Sequence, residues 1–255
     1  MYYFIPSLNF YMKKIIFVFI ILMSKYIYAL DVTPGILEFS LLNNETKSGY
    51  YTIKNDSNKN KIISTEIETY YGINVKKWLK IKPINFILKK GECKKIYYQI
   101  TLPDNMKEES CAHIFFTERS IKSRRSDGMG IVVRIGSSIY LSTKNNEIIN
   151  PEFKNVLINY SKDKKLFLNL DIRNRGNVHL RFFYKIEIYK NKKKILKTKM
   201  NHITAIIPGA NKKLKLPLTN IPILKSGKYQ INLKLYYGNV PQNLKMKKFI
   251  FNFTI

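Results

Sequence analysis

The stretch WLKIKPINFILKKGECKKIYYQITLP, Trp78 to Pro103, decides how this chain folds. It reads as a strand, a tight turn at Lys90-Gly91, and a second strand. From Lys95 to Leu102, the side chains of Ile96, Tyr98, Ile100 and Leu102 fall on one face. Lys95, Tyr97, Gln99 and Thr101 fall on the other. A period of 2 marks a half-buried strand, because successive side chains of a strand point to opposite faces. The same design recurs about a hundred residues further on, which suggests a tandem repeat. There Ile207-Pro208-Gly209-Ala210 makes a turn, and Lys213 to Leu218 alternates again.

Working outward, the length of 255 residues allows one large domain or two of about 110 residues each. Eighteen Tyr and fifteen Phe favour strands over helices. The net charge is +28. Residues 1–29 hold Lys13, Lys14 and Lys25 and no acid, so the rest carries +25. Such a charge speaks to solubility and to anionic partners, not to fold. The lysines are spread over strands and turns instead of forming one block. That is the pattern of a composition rich in Lys, Ile and Asn.

Residues 1–29 read as a secretory signal peptide. Lys13-Lys14 precedes the apolar run IIFVFIILM, and a short segment ends at Ala29. A basic start, an apolar core of about 7–15 residues and a small residue at the cut define such a signal. Met12 offers an alternative start. The run is too short to span a bilayer comfortably. Export argues against a nucleic-acid partner.

Residues 30–142 read as about seven short strands separated by turn signals, the rhythm of a β-sandwich. Val32–Phe39 opens, with a kink at Pro34-Gly35. Gly49–Lys54 ends at the turn cluster Asn55-Asp56-Ser57-Asn58. Cys111–Thr117, free of Asp, Glu, Lys and Arg, suits a central strand, and Met129–Leu141 closes the half. Residues 143–151 read as a linker, and residues 152–255 as a second sandwich. In the segment Leu224-Lys225-Ser226-Gly227-Lys228-Tyr229, the tyrosine stands where an Ig-like domain places a tyrosine corner, its hydroxyl bonding back to the chain. The fold class expected is therefore all-β, with two tandem immunoglobulin-like β-sandwiches after the signal peptide.

Asn55-Asp56-Ser57, the stretch from Trp78 to Pro103, and ESCAHIFFTERSI from Glu109 resemble the N-terminal domain of the pilus-assembly (PapD-like) periplasmic chaperones. The segments Asn174 to His179 and Leu224 to Tyr229 resemble the Ig-like domains that follow it. The resemblance covers residues 30–255. It implies strand donation, in which the last strand of the first domain completes an unfinished Ig-like subunit. That strand is GMGIVVRIGSSIYLS here, with Met129, Ile131, Val133 and Ile135 as the alternating donors. The same alternation also describes a strand that fills only its own core. The family holds a subunit's terminal carboxylate with a basic pair in the interdomain cleft. The matching positions, near Gly35-Ile36 and near Ser138, are not basic in this chain. Arg134 and Lys54 are the possible substitutes. The partners implied are a pilus or envelope subunit and an outer-membrane usher. The membrane is touched only through the signal peptide, if that stays uncleaved.

Cys93 and Cys111 begin successive strands, roughly 25 Å apart at about 3.3 Å per residue. A disulfide needs Cα atoms within about 7 Å, so two free thiols, or a link between molecules, are expected. His113, His179 and His202 have no Cys or carboxylate at ligand spacing, so neither a metal nor another cofactor is expected. No nucleophile elbow, phosphate loop or zinc-protease motif is present, and Glu66, Glu68 and Glu118 read as isolated acids. The expected function is a periplasmic, non-enzymatic chaperone of pilus or envelope assembly. The alternative is a structural or adhesive cell-envelope component, periplasmic or at the cell surface.

Overall fold

A computed structural model describes residues 30–119, 132–161, 165–218, 221, 223–239 and 244–254. The proposed signal peptide lies outside them. The described residues are mostly in strands. In the first sandwich, one sheet runs β1 (Leu30–Thr33), β3 (Thr46–Asn55), β7 (Cys93–Thr101) and β5 (Leu79–Lys82) in spatial order. The facing sheet runs β2 (Ile36–Leu41), β9 (Arg134–Thr143), β8 (Ser110–Arg119), β4 (Lys61–Tyr71) and β6 (Asn85–Leu88). The inward residues of both sheets, among them Tyr51, Ile53, Ile96, Ile100, Ile114 and Phe116, form one fully buried cluster. As expected, β8 is central in its sheet.

The second sandwich has β10 (Pro151–Tyr160), β11 (Leu166–Asn174) and β15 (Asn211–Pro217) on one side. On the other are β13 (Lys193–Lys197), β12 (Leu180–Lys190), β16 (Lys228–Gly238) and β17 (Lys245–Thr254), with β14 (Asn201–Ile206) also paired to β12. Its separate core centres on Leu168, Ile172, Phe182, Ile186, Ile231 and Leu233. The Tyr229 hydroxyl donates to the Lys225 carbonyl at 2.6 Å. That is the tyrosine corner the sequence suggests.

Three readings need correction. The stretch Trp78 to Pro103 is not a hairpin. β5 and β7 lie in one sheet, whereas β6 pairs with β4 in the other. The turn at Lys90-Gly91 is real, with Gly91 at φ +70°, but it carries the chain across the sandwich. Trp78 belongs to no strand. It follows a single 3-10 turn over Val75–Lys77, and its indole donates to the Ile73 carbonyl. The opening strand is two strands that part at Pro34-Gly35: β1 pairs antiparallel with β3, and β2 runs parallel to β9. Cys93, first in β7, and Cys111, second in β8, consequently lie in different sheets, and both are free thiols.

The internal repeat is physical. Asn55 and Asn174 are each fully buried at the end of the second antiparallel strand of their sandwich. The Asn55 amide donates to the carbonyls of Lys59, Leu88 and Lys89, and its oxygen accepts from Ser57. The Asn174 amide donates to the carbonyls of Val178 and Ile206, and its oxygen accepts from the Gly176 N–H. The main chain repeats too. The Gly91 N–H donates to the Asn55 carbonyl and the Gly209 N–H to the Asn174 carbonyl, both at 3.0 Å. Gly209, at φ +73°, matches Gly91. In each sandwich one amide satisfies carbonyls that ladder pairing leaves over, where an unpaired buried acceptor is costly.

Asn55→Ala and Asn174→Ala are each expected to destabilise by about 2–4 kcal/mol, since each strands two or three buried carbonyls. Urea unfolding followed by circular dichroism checks this; a loss within experimental error of zero contradicts the staple.

Candidate functional site

The first feature is the edge of β9. On one side β8 pairs with it along its length, from Arg134 opposite Thr117 to Leu141 opposite Ser110. On the other side β2 joins only at Ser138, which lies beside Ile36. At the junction the Ser138 N–H donates to the Gly35 carbonyl, and the Ser137 hydroxyl donates to the Pro34 carbonyl. Among the described residues, no strand pairs with the outer side of Arg134 to Ser137. Of the four expected donors, Met129 and Ile131 lie outside the described residues. Val133 is half-buried, and Ile135 lies opposite the buried Phe116 and packs on the first core.

The alternate side chains of β9 face outward. The Arg134 guanidinium stacks on the Phe115 ring at 3.6 Å and bonds Glu68 at 2.6 Å and Glu66 at 2.9 Å. Gly136 lets that ring lie close, since an added Cβ would stand 3.0 Å from it. Glu66 and Glu68 are therefore paired, and Glu118 is bound to Lys61 at 2.7 Å. His113 faces the Ser138 hydroxyl at 3.0 Å, and burial pushes its pKa down. Lys54 sits on the other sheet, bonded to Asp56 at 2.7 Å. The structure thus brings Ile36 and Ser138 side by side but keeps Lys54 and Arg134 apart. Arg134 is already neutralised by two carboxylates.

The second feature is the joint between the sandwiches, and three of its charged residues were not singled out in the sequence. Glu109, just before β8, is 4% exposed, and His179, just before β12, is 2% exposed. The His179 main-chain N–H donates to Glu109 at 2.9 Å, and its Nδ1 lies 2.9 Å from both carboxylate oxygens. Its Nε2 is 3.4 Å from Glu38 on β2, close enough for charge attraction but without the alignment of a hydrogen bond. Arg181 on β12 bonds Glu38. The Tyr140 ring of β9 stacks on His179 at 4.0 Å, and the Tyr71 hydroxyl of β4 donates to Glu109. A void of about 100 Å³ opens beside them, between Glu38, Tyr140, Ser142 and Asn239.

Burial disfavours the charged forms of Glu38 and His179, and their partners reverse it. For Glu38, burial is outweighed by attraction to His179 and the hydrogen bond from Arg181, which hold the carboxyl below its ordinary value. For His179, Glu109 and Glu38 outweigh burial and raise the imidazole. Burial next to Glu109 pushes Tyr71 up strongly. The described residues contain no group of three or more His, Cys, Asp or Glu able to hold a metal ion.

No protein-family profile and no curated protein matches this sequence. Solved structures do match. The YadV chaperone is 10% identical with a TM-score of 0.50, over 87% of this chain and 99% of that one. The chain has the fold of that chaperone. The class 5 fimbriae chaperone CfaA is 15% identical with a TM-score of 0.47, over 88% of this chain and 98% of that one. The CsuC-CsuE chaperone–tip subunit pre-assembly complex of Acinetobacter baumannii contributes a chain 11% identical with a TM-score of 0.48, over 86% and 97%. The expected likeness to the PapD-like proteins therefore stands at the level of fold. Among the described residues, no helix is long and apolar enough to cross a membrane.

Burial pushes the Cys111 thiol up to about 12, whereas Cys93 is exposed. The thiolate is the reactive form. Iodoacetamide near neutral pH is expected to label Cys93 and to spare Cys111 until denaturant is added. Labelling of both in the folded chain, or a Cys93–Cys111 disulfide found by mass spectrometry, contradicts the packing of β8.

Proposed function

We propose that this protein is an exported, periplasmic, non-enzymatic chaperone of pilus or envelope assembly, which binds an Ig-like subunit by lending it an edge strand. The observation that carries the reading is the half-covered β9. A strand with free main-chain groups on one side is a template for another strand. Ile135 and Val133 are only half-buried in their own sandwich. A subunit lacking a strand would gain both the hydrogen bonds and the apolar side chains that its core needs. In the sequence, Met129 and Ile131, outside the described residues, continue the same alternation.

The family's basic pair is absent, and Arg134 is bound to Glu66 and Glu68. In this reading recognition rests on the strand edge and its apolar side chains, not on capture of a terminal carboxylate. The partner is a pilus or envelope subunit, and an outer-membrane usher is its natural recipient. The rival reading, a structural or adhesive envelope component, draws on another face. Tyr50 and Tyr97 meet edge to face on the outer side of the first sheet, 46% and 58% exposed, with Lys95 over Tyr50 and Lys80 and Lys82 nearby.

The test is affinity purification of the chain from Leu30 onward out of an envelope extract. Val133→Asp is compared with Val132→Asp, its opposite-facing neighbour, and both variants are checked for folding. One Ig-like partner at 1:1, lost at least tenfold with Val133→Asp and retained with Val132→Asp, supports strand donation. The absence of a discrete partner, with salt-sensitive sedimentation on envelope polymer, contradicts it and supports the structural reading.

A further inference from the structure

The joint between the two sandwiches gathers two carboxylates and two cationic side chains, with Glu109 and His179 buried and Glu38 and Arg181 partly so. Of the two carboxylates, Glu109 has the poorer access to solvent. Its partners are the Tyr71 hydroxyl, which is neutral, and the ring and main-chain N–H of His179. Arg181 is committed to Glu38 and to the Asn239 carbonyl. A buried carboxylate without a counter-charge is strongly unfavourable. With His179 protonated, the four charges Glu38, Glu109, His179 and Arg181 sum to zero. With it neutral, the joint carries one uncompensated negative charge, and Nε2 loses the proton that faces Glu38.

These contacts cross between domains. Glu38, Glu109, Tyr71 and Tyr140 belong to the first sandwich, whereas His179, just before β12, and Arg181, within it, belong to the second. Beside them the Glu109 N–H donates to the Asn177 carbonyl, and the Asn177 amide donates to the carbonyls of Lys107 and Asn146. These neutral bonds hold the chains together in either protonation state. The ionised set decides how firmly the joint is held.

We propose that His179 is a charge latch: protonated, it fixes the two domains at one angle, and on losing its proton it frees the joint to vary. The groups that set this behaviour come from every element around it. They are Glu38 of β2, Tyr71 of β4, Glu109 ahead of β8, Cys111 of β8 beneath Tyr140 and Glu109, Tyr140 of β9, and Arg181 of its own strand. The glutamates favour the imidazolium, and burial and Arg181 oppose it.

The direction follows from linkage. The folded value of His179 is raised above the ordinary 6.5. Its contribution is therefore complete below that value and is lost as pH rises through the raised one. Glu38 is held below its ordinary 4.5, so its contribution is present above that value and is lost as pH falls through the lowered one. The latch is closed between these limits and opens on the alkaline side. The inference stands whatever the protein binds. Under the proposed function, the angle it fixes is that of the cleft offered to a subunit.

Nuclear magnetic resonance tests it on the chain from Leu30 onward. The ring nitrogens of His179 are titrated between about pH 5 and 9.5, and residual dipolar couplings report whether both domains share one alignment. The expected result is a midpoint above 6.5, with the common alignment lost through the same transition. Glu109→Gln should lower the midpoint. His179→Gln should lack the common alignment at every pH, while His202→Gln behaves as the wild type. A midpoint at or below 6.5, or an alignment unchanged through the titration, overturns the proposal. The wild-type titration decides the matter even if a variant fails to fold.

Discussion

The first strand changes sheets, and the open edge depends on that change. A single straight strand over residues 30–41 would lie along one sheet only. Broken at Pro34-Gly35, it closes the edge of one sheet with β1 and, as β2, lies along the last strand of the other. Because β2 reaches β9 only at Ser138, no strand among the described residues covers that side of the preceding residues of β9. The Ser137 and Ser138 bonds to the Pro34 and Gly35 carbonyls fix where cover begins. The half-covered edge is thus a consequence of topology, set by a break nearly a hundred residues away in sequence.

The remaining order comes from a few buried polar groups set in apolar cores. The two asparagine staples do the same work in both sandwiches: each ties a strand end to the turn that crosses between sheets. The joint is of a different kind. Its groups are ionised, so its strength varies with pH, whereas an amide does not titrate. The molecule therefore combines two sandwiches, each with its own core, and a joint whose firmness depends on a proton.

Much of this was legible in the sequence, because it is local. The alternation from Lys95 to Leu102, the turn at Gly91, the repeat at Gly209 and the corner at Tyr229 each need only neighbouring residues. Sheet membership is not local. Nothing between Trp78 and Pro103 says that β6 leaves the sheet of β5 and β7, since each side of the sandwich asks for the same alternation. The kink at Pro34-Gly35 was visible, but the choice of a new partner strand was not. The joint was invisible for a simpler reason. His179 meets Glu109 across 70 residues, and Arg181 meets Glu38 across 143. No spacing rule covers such distances, and the same separation made Glu66, Glu68 and Glu118 look isolated.

The central claim is that the N-terminal part of β9 is an edge able to take another strand. Amide hydrogen exchange tests it most directly, followed residue by residue from Val133 to Leu141 in the free chain and in complex with its subunit. The account predicts fast exchange at outward-pointing amides before Ser138 and strong protection from Ser138 onward. Those fast amides become protected when the subunit binds. Slow exchange throughout in the free chain, or no new protection in the complex, would contradict it.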